Sequence, residues 1–192
     1  MDLPHITVFC ASSNLVDSRY SDVAERMGSS LANRKITLVY GGGDVGLMGV
    51  MARSVHANGG RVVGIIPHAL RSIEGVAYEV ADELIMTDTM RERKAKMYER
   101  ADAFVALPGG IGTLEEFMEV ITLKKLGYHD LPIALVNTDG FYDLLIEFFG
   151  ELLDSRFLSK SEPALFELVN EPDAIFETES FRLAFSGAVS AG

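Results

Sequence analysis

A glycine-rich segment that ends in two glutamates is the part of this sequence best suited to bind and transform a phosphate ester. It reads Pro108-Gly-Gly-Ile-Gly-Thr-Leu-Glu-Glu116 and directly follows the apolar run 102–107. Three glycines let the backbone turn with its N–H groups inward, a helix N-terminus adds partial positive charge, and the Thr113 hydroxyl can meet a phosphate oxygen. The alternative is a tight strand-to-helix turn that uses glycine for geometry alone, but three glycines exceed what a plain turn demands.

The two glutamates at the end of this segment admit two interpretations. Thr113-Leu-Glu-Glu116 fits a capping box, in which the Glu116 side chain returns to the Thr113 backbone. A carboxylate beside a phosphate also has a chemical use, because glycosidic cleavage passes through an oxocarbenium-like state that a carboxylate stabilises. Residue types alone leave both interpretations open.

A basic cluster precedes the glycine segment in an otherwise acidic chain. Five of the 17 basic residues lie within ten positions, namely Arg91, Arg93, Lys94, Lys96 and Arg100. The cluster is either a solvated helix face or an anion site. Cations in a first helical turn oppose the helix dipole, and a bound anion would remove that conflict.

Other candidate groups are weaker. Gly41-Gly-Gly-Asp-Val-Gly46 satisfies G-x-G-x-x-G, but it follows the second strand and no acidic residue ends the next one, so it indicates close backbone approach to a mononucleotide or sheet packing rather than a dinucleotide site. The four histidines lack metal-ligand spacing, and Cys10 has no identifiable base partner. Ser12-Ser13-Asn14 is either a ligand contact or a turn and helix start.

Alternating apolar runs and amphipathic segments must position these groups. Helical spacing covers roughly residues 17–33, 46–58, 89–100, 113–127 and 140–153, and short apolar runs typical of buried strands span 6–10, 36–40, 61–66, 83–86, 102–107 and 132–136. This β-α-β-α order predicts an α/β fold, a doubly wound, Rossmann-like parallel sheet with helices on both faces. Ligands of such sheets bind beyond the carboxyl ends of the strands, which places function in the βα loops.

Length and composition bound the class of protein. We expect a single nucleotide-binding α/β domain over residues 1–180 and a mobile tail over 181–192. The net charge of −11 disfavours nucleic acid as a partner. No apolar run approaches the roughly 18 residues of a membrane span, and a single cysteine without a signal-peptide pattern favours a soluble, cytoplasmic protein.

Taken in order, these motifs resemble the Lonely guy family of cytokinin riboside 5′-monophosphate phosphoribohydrolases, once widely described as lysine decarboxylases. The resemblance runs from about Ile6 to Leu153 and rests on segment 108–116, the upstream Met-x-x-Arg93-Lys94 and the loop 41–49. It implies Arg93 and Glu116 as the catalytic pair, and a homodimer whose sites include residues of both subunits. The substrate-binding residues it implies are Glu74, Lys94, Gly109, Gly110, Ile111, Gly112, Thr113, Leu114, Glu115 and Thr122.

The chain departs from the family pattern at two positions. Arg91 stands where the family often has histidine, and Ala11 replaces the glycine of its Cys-Gly-Ser-Ser signature. Neither position belongs to the implied catalytic pair. Ala11 would narrow the pocket and Arg91 would shift preference among substrates.

The sequence therefore predicts hydrolysis of the N-glycosidic bond of an AMP-type nucleotide to free base and ribose 5-phosphate. Phosphate anchors at Gly109–Thr113, Arg93 contacts the sugar phosphate, and Glu116 either positions water or stabilises charge on the ribose. This scheme requires no metal and no organic cofactor. Pyridoxal phosphate chemistry fits poorly, because Lys94 among other cations is the only candidate for a Schiff base. The alternative is a nucleotide carrier without catalysis.

Overall fold

The strands and helices follow one another as the sequence pattern indicates. The computed structural model describes residues 3–73, 77–159 and 164–186, with the side chains of residues 72 and 73 left out. Its strands are β1 (His5–Phe9), β2 (Thr37–Tyr40), β3 (Val62–Pro67), β4 (Glu83–Thr87), β5 (Ala103–Ala106), β6 (Ile133–Val136) and β7 (Glu167–Val169). Its α-helices are α1 (Ser18–Asn33), α2 (Gly46–Ala57), α3 (His68–Ile73), α4 (Met90–Glu99), α5 (Ile111–Lys125), α6 (Asp143–Asp154) and α7 (Glu179–Ala184).

All seven strands form one parallel sheet in the order β4-β3-β2-β1-β5-β6-β7. This confirms the predicted fold class, and the six predicted strands are all present. Strand β7 was not predicted because three residues carry no readable alternation, and α3 was missed because it is a single short segment of six residues.

The order of the strands creates a crevice beside β1. From β1 the chain adds β2, β3 and β4 outward on one side, then returns to place β5 on the other side of β1, with Phe9 paired to Ala106. The connections after β1 and β5 therefore leave toward opposite faces of the sheet. A topological switch point of this kind is where doubly wound sheets bind ligands.

Strand alternation divides the core between the two faces. Ile6 and Val8 of β1 face a cluster built with α1 and α2, whereas Phe9 faces a second cluster built with α4 and α5. Because both faces are covered, the central strands are mostly apolar, as is typical of parallel sheets. The same layering fixes α4 and α5 side by side above the crevice.

The C-terminal part of the described chain differs from the expectation of a tail that is mobile from residue 181. Helix α7 covers Glu179–Ala184, and Phe181 and Phe185 are buried in the core, where their rings stack at 6.1 Å. Two aromatic side chains bury enough apolar area to order this segment. Residues 187–192 lie outside the described part. No helix within the described ranges is long and apolar enough to cross a membrane.

Candidate active site

A cavity of about 320 Å³ opens at the switch point. Its walls are the end of β1 with the following loop (8–13), Gly41 after β2, the side of α4 that carries Met90, Arg93 and Met97, and the start of α5. The cavity thus lies beyond the carboxyl ends of the strands, where the sequence analysis expects the functional site.

Helix α5 begins two residues earlier than predicted, and this changes the function of its first turn. Gly110 is the N-cap and makes no side-chain cap hydrogen bond, so Thr113 lies inside the helix. The capping-box interpretation of Thr113 and Glu116 is therefore wrong, because both residues belong to the helix body. The first amides of a helix have no intrahelical acceptor. The first turn of α5 borders the cavity, which Gly110, Ile111, Gly112 and Thr113 line.

Arg93 is buried and held by backbone carbonyls. Its Nε donates to the Ile65 carbonyl at 3.1 Å and its Nη2 to the Gly41 carbonyl at 3.3 Å. A Cβ atom on Gly41 would overlap Nη2, so only glycine leaves room for this side chain. Three elements thereby orient the guanidinium, and Nη1 remains directed toward Glu116.

Glu116 faces Arg93 across the cavity, with Oε1 at 3.9 Å from Nη1. Both side chains are about one-tenth exposed. Burial raises the pKa of Glu116 to about 7, although the Arg93 guanidinium pulls that pKa down. A carboxyl group with this pKa can bind or release a proton near neutral pH, as acid–base chemistry requires.

Lys94 does not line the cavity. Its ammonium contacts the carboxylates of Glu115 and Glu119, and the Tyr98 hydroxyl donates to Glu119 at 3.0 Å. Partial burial acts to lower the pKa of Lys94, but hydrogen bonds to the two carboxylates outweigh it and raise the pKa. Lys94 is therefore held as an ammonium ion within a network of side chains from α4 and α5.

The glycine segment is supported from beneath by Tyr142, which the sequence did not single out. Its buried hydroxyl donates to the Leu107 carbonyl at 2.7 Å, and its own amide donates to Asn137. Within the segment, a Cβ atom on Gly109 would overlap the Thr113 side chain. The turn before α5 is thus packed against the molecule on its inner side and open on the cavity side.

The structure brings together most of the site residues that the sequence predicted. The predicted residues that line the cavity are Arg93, Gly110, Ile111, Gly112, Thr113, Glu115 and Glu116. Gly109 and Leu114 adjoin it without lining it. Thr122 lies about 9 Å along α5 from Glu116 by helical rise, is exposed, and bonds its own helix at the Met118 carbonyl. Glu74 lies outside the described residues.

Several lining residues were not predicted as site residues. Ser12 and Ser13 do line the cavity, as does Cys10, whose thiol pKa is raised by burial and by the Glu116 carboxylate. Met48, Leu70, Met90 and Met97 form an apolar part of the wall. No sequence signal distinguishes these side chains from ordinary core residues, because apolar type and helical spacing are the same in both cases.

The loop after β2, residues 41–46, is hydrogen-bonded to the segment that follows β1. The Gly46 amide donates to the Asn14 side chain at 2.7 Å, and the Leu47 amide donates to the Ala11 carbonyl at 2.9 Å. The loop thus fastens the segment after β1 to α2, in keeping with close backbone approach rather than with a dinucleotide fingerprint. Within the described residues, no group of three or more His, Cys, Asp or Glu side chains is arranged to hold a metal ion.

Comparison of the sequence with known proteins identifies a matching family and several named relatives. Residues 48–178 match the model of a family described as "Possible lysine decarboxylase". A cytokinin riboside 5′-monophosphate phosphoribohydrolase of Arabidopsis thaliana is 40% identical over 96% of this chain and 81% of its own length. A second from that plant is 46% identical over 88% and 78%, and a probable one from rice, Oryza sativa subsp. japonica, is 47% identical over 88% and 73%.

Solved structures share the fold at lower identity. A molybdenum cofactor binding protein of Rippkaea orientalis superposes with a TM-score of 0.70 and 21% identity, covering 92% of this chain and 95% of its own. The molybdenum cofactor carrier protein of Chlamydomonas reinhardtii gives a TM-score of 0.71 with 18% identity over 98% and 99%. These similarities establish a common architecture.

Proposed function

We propose a reaction for this site from one premise: the chain belongs to the Lonely guy family, the family of cytokinin riboside 5′-monophosphate phosphoribohydrolases. The protein is a hydrolase. It cleaves the N-glycosidic bond of an N6-modified adenosine 5′-monophosphate and releases the free base and ribose 5-phosphate. One observation carries this proposal: a buried guanidinium and a buried carboxyl group face each other at 3.9 Å beside an open helix N-terminus.

The helix N-terminus accounts for the phosphate. Free amides of the first turn of α5 and the Thr113 hydroxyl donate to phosphate oxygens, and the helix dipole favours the anion. Arg93 lies on the opposite wall and meets the sugar phosphate with Nη1, the nitrogen that its backbone partners leave available. The nucleotide is thereby fixed between α4 and α5.

Glu116 then acts on the ribose. In the reaction the C1′–N bond breaks with its electron pair passing to the base, a water oxygen bonds to C1′, and the proton that the water loses is balanced by the proton that the departing base takes up. An ionised Glu116 either positions this water or stabilises the positive charge that develops on the ribose. Both roles place the carboxylate beside C1′, and Arg93 keeps it partly ionised despite its burial.

Two other functions fit the site less well. A pyridoxal-dependent decarboxylase needs a lysine that can become a neutral amine, whereas Lys94 is stabilised as an ammonium ion by two carboxylates. A nucleotide carrier would use the same phosphate site, but it would have no use for a carboxyl group poised near pH 7 in the cavity. The structural likeness to carriers concerns the fold alone.

Product analysis tests the proposed function. Purified protein is incubated with AMP and, separately, with isopentenyladenosine 5′-monophosphate, and free base is measured by chromatography. We expect base release by the unmodified chain and its loss in Arg93→Ala and Glu116→Ala, with Glu99→Ala, an exposed α4 residue away from this cavity, as the matched control. Binding of both nucleotides without base release would favour the carrier.

We further propose that the protein is a cytoplasmic homodimer and that AMP itself binds at this site. Support for the dimer comes from α6, an amphipathic helix none of whose residues is buried and whose apolar residues Leu144 and Phe148 are exposed. A second copy would bury such a surface. A neighbouring subunit would also give Thr122, which this chain leaves away from its own cavity, a route to contact substrate. Glu74 is retained as a proposed substrate contact on the family resemblance alone.

A further inference from the structure

Tyr98 and Glu119 take no part in the proposed reaction, but Lys94 connects both side chains to the cavity. On α4, Lys94 and Tyr98 are four residues apart, and on α5, Glu115 and Glu119 have the same spacing. Residues four apart share one face of a helix. The two pairs face each other and form a continuous chain of contacts from Tyr98 through Glu119 and Lys94 to Glu115.

The two ends of this series of contacts differ in their surroundings. The Tyr98 ring makes edge contacts with Phe104 at 5.8 Å and Phe9 at 6.3 Å, so its hydroxyl is anchored to the core. The Glu115 side chain is 53% exposed, compared with 37% for Glu119 and 15% for Lys94. Glu115 is also the only one of these four described residues that lines the cavity.

Charge repulsion explains why Glu115 needs the contact with Lys94. Glu115 and Glu119 are like charges on one helix face and repel each other unless a cation lies between them. An exposed glutamate also loses rotamer entropy when it is held in a single orientation. The Lys94 ammonium offsets the repulsion and restricts the orientation of Glu115. Tyr98 in turn fixes the Glu119 carboxylate, which keeps this ammonium in place.

We infer that Glu119 and Tyr98 are positioning residues, which act through the Lys94 ammonium to hold the Glu115 carboxylate against the cavity, where it meets the ribose hydroxyls of the bound nucleotide. This inference rests on the proposed function. It gives Lys94, which does not itself line the cavity, the task of orienting Glu115. The ordered carboxylate accepts hydrogen bonds from the sugar without reorganising during the reaction.

A double-mutant cycle tests this connection. Glu119→Gln removes the charge that holds Lys94, and we expect kcat/KM to fall roughly fivefold in the unmodified chain but less than twofold when Glu115→Gln is already present. The loss falls mainly on KM, because a ribose contact made equally in the bound nucleotide and the transition state is uniform binding. Tyr98→Phe, which keeps the ring contacts, gives a smaller loss of about two- to threefold in the same direction.

Several outcomes would overturn the inference. Equal loss from Glu119→Gln in both backgrounds, a loss confined to kcat, or an increase in activity from a released Lys94 would each show that Glu119 does not act through Glu115. Glu99→Gln serves as the carboxylate control on α4, and thermal unfolding of every variant separates misfolding from mispositioning. Failure of the unmodified chain to release base would instead overturn the proposed function, and this inference with it.

Discussion

At the scale of single residues, the site depends on a carboxyl group whose ionisation the fold makes costly. Glu116 is buried, and desolvation outweighs the attraction of the Arg93 and Lys94 cations. The folded chain therefore favours the protonated form. This preference links the chemistry of the site to the stability of the protein.

The first prediction concerns stability. The pKa of Glu116 rises from 4.5 to about 7 on folding, so the folded state binds the proton more tightly and the free energy of unfolding falls as pH rises through this window. The full decrease is on the order of 3 kcal/mol. Glu116→Gln removes it, and we expect the Tm of this variant to exceed that of the unmodified chain by roughly 6–12 °C at pH 8.

Calorimetry at pH 5 and pH 8 provides the comparison. At pH 5 the unmodified Glu116 is already largely protonated, so the two proteins should unfold at nearly the same temperature. A stability difference that does not change between the two pH values would show that burial does not perturb this group.

The second prediction concerns activity. Both proposed roles of Glu116 require the carboxylate, and kcat/KM reports ionisation of the free enzyme. We expect kcat/KM to rise with pH to a plateau, with its midpoint near the Glu116 pKa of about 7. The substrate phosphate also ionises, with a second pKa near 6. Measuring ligand affinity over the same pH range separates this ionisation from the Glu116 midpoint in the kcat/KM profile. Activity that declines through pH 7 would instead make Glu116 a general acid.

At the scale of elements, the cavity is an assembly of loop and helix ends that constrain one another. Arg93 belongs to α4, but its orientation is set by carbonyls after β2 and within β3. Its partner Glu116 belongs to α5. The catalytic geometry therefore depends on residues that carry no reactive group.

The third prediction tests this dependence at Gly41. In Gly41→Ala the new Cβ would overlap Arg93 Nη2 and crowd Met48 Sδ at 3.1 Å, so the guanidinium must move. We expect kcat/KM to fall about 100-fold with a loss of about 1–3 kcal/mol in stability. Gly150→Ala is the control, because nothing lies within 4 Å of the added methyl group. Normal activity in Gly41→Ala would mean that the position of Arg93 is not critical.

At the scale of the whole molecule, the strand order puts every proposed catalytic group beyond the carboxyl ends of the central strands. The return from β4 to β5 brings a loop near residue 10 and a helix near residue 111 to adjacent positions. Surface composition then suggests how copies associate, since α6 presents an apolar side that this chain leaves uncovered.

The fourth prediction concerns assembly. Light scattering should give about twice the chain mass of 20.9 kDa at micromolar concentration. Leu144→Glu combined with Phe148→Glu places charge on the proposed α6 interface and should reduce the mass to that of a single chain, whereas Glu147→Gln on the same helix should not. A dimer that survives the double substitution uses a different surface.

The family resemblance supplied Arg93 and Glu116 as a candidate pair, whereas the residue pattern by itself determined the α/β class, six of the seven strands and the glycine segment. These features depend on local periodicity and on residue types whose chemistry is legible without coordinates. The resemblance to a family then connected them to one reaction. Short elements such as α3 and β7 were not predicted, because so few residues show no recognisable periodicity.

Only the tertiary structure decided how these groups interact. It showed that α5 begins at Ile111 and releases Glu116 from a capping role, that Arg93 is fixed by the Gly41 and Ile65 carbonyls, and that Lys94 faces two carboxylates. Burial, ion pairing and the raised pKa of Glu116 arise from contacts between elements far apart in the chain. No local pattern encodes such contacts, because they depend on which elements the sheet order brings together.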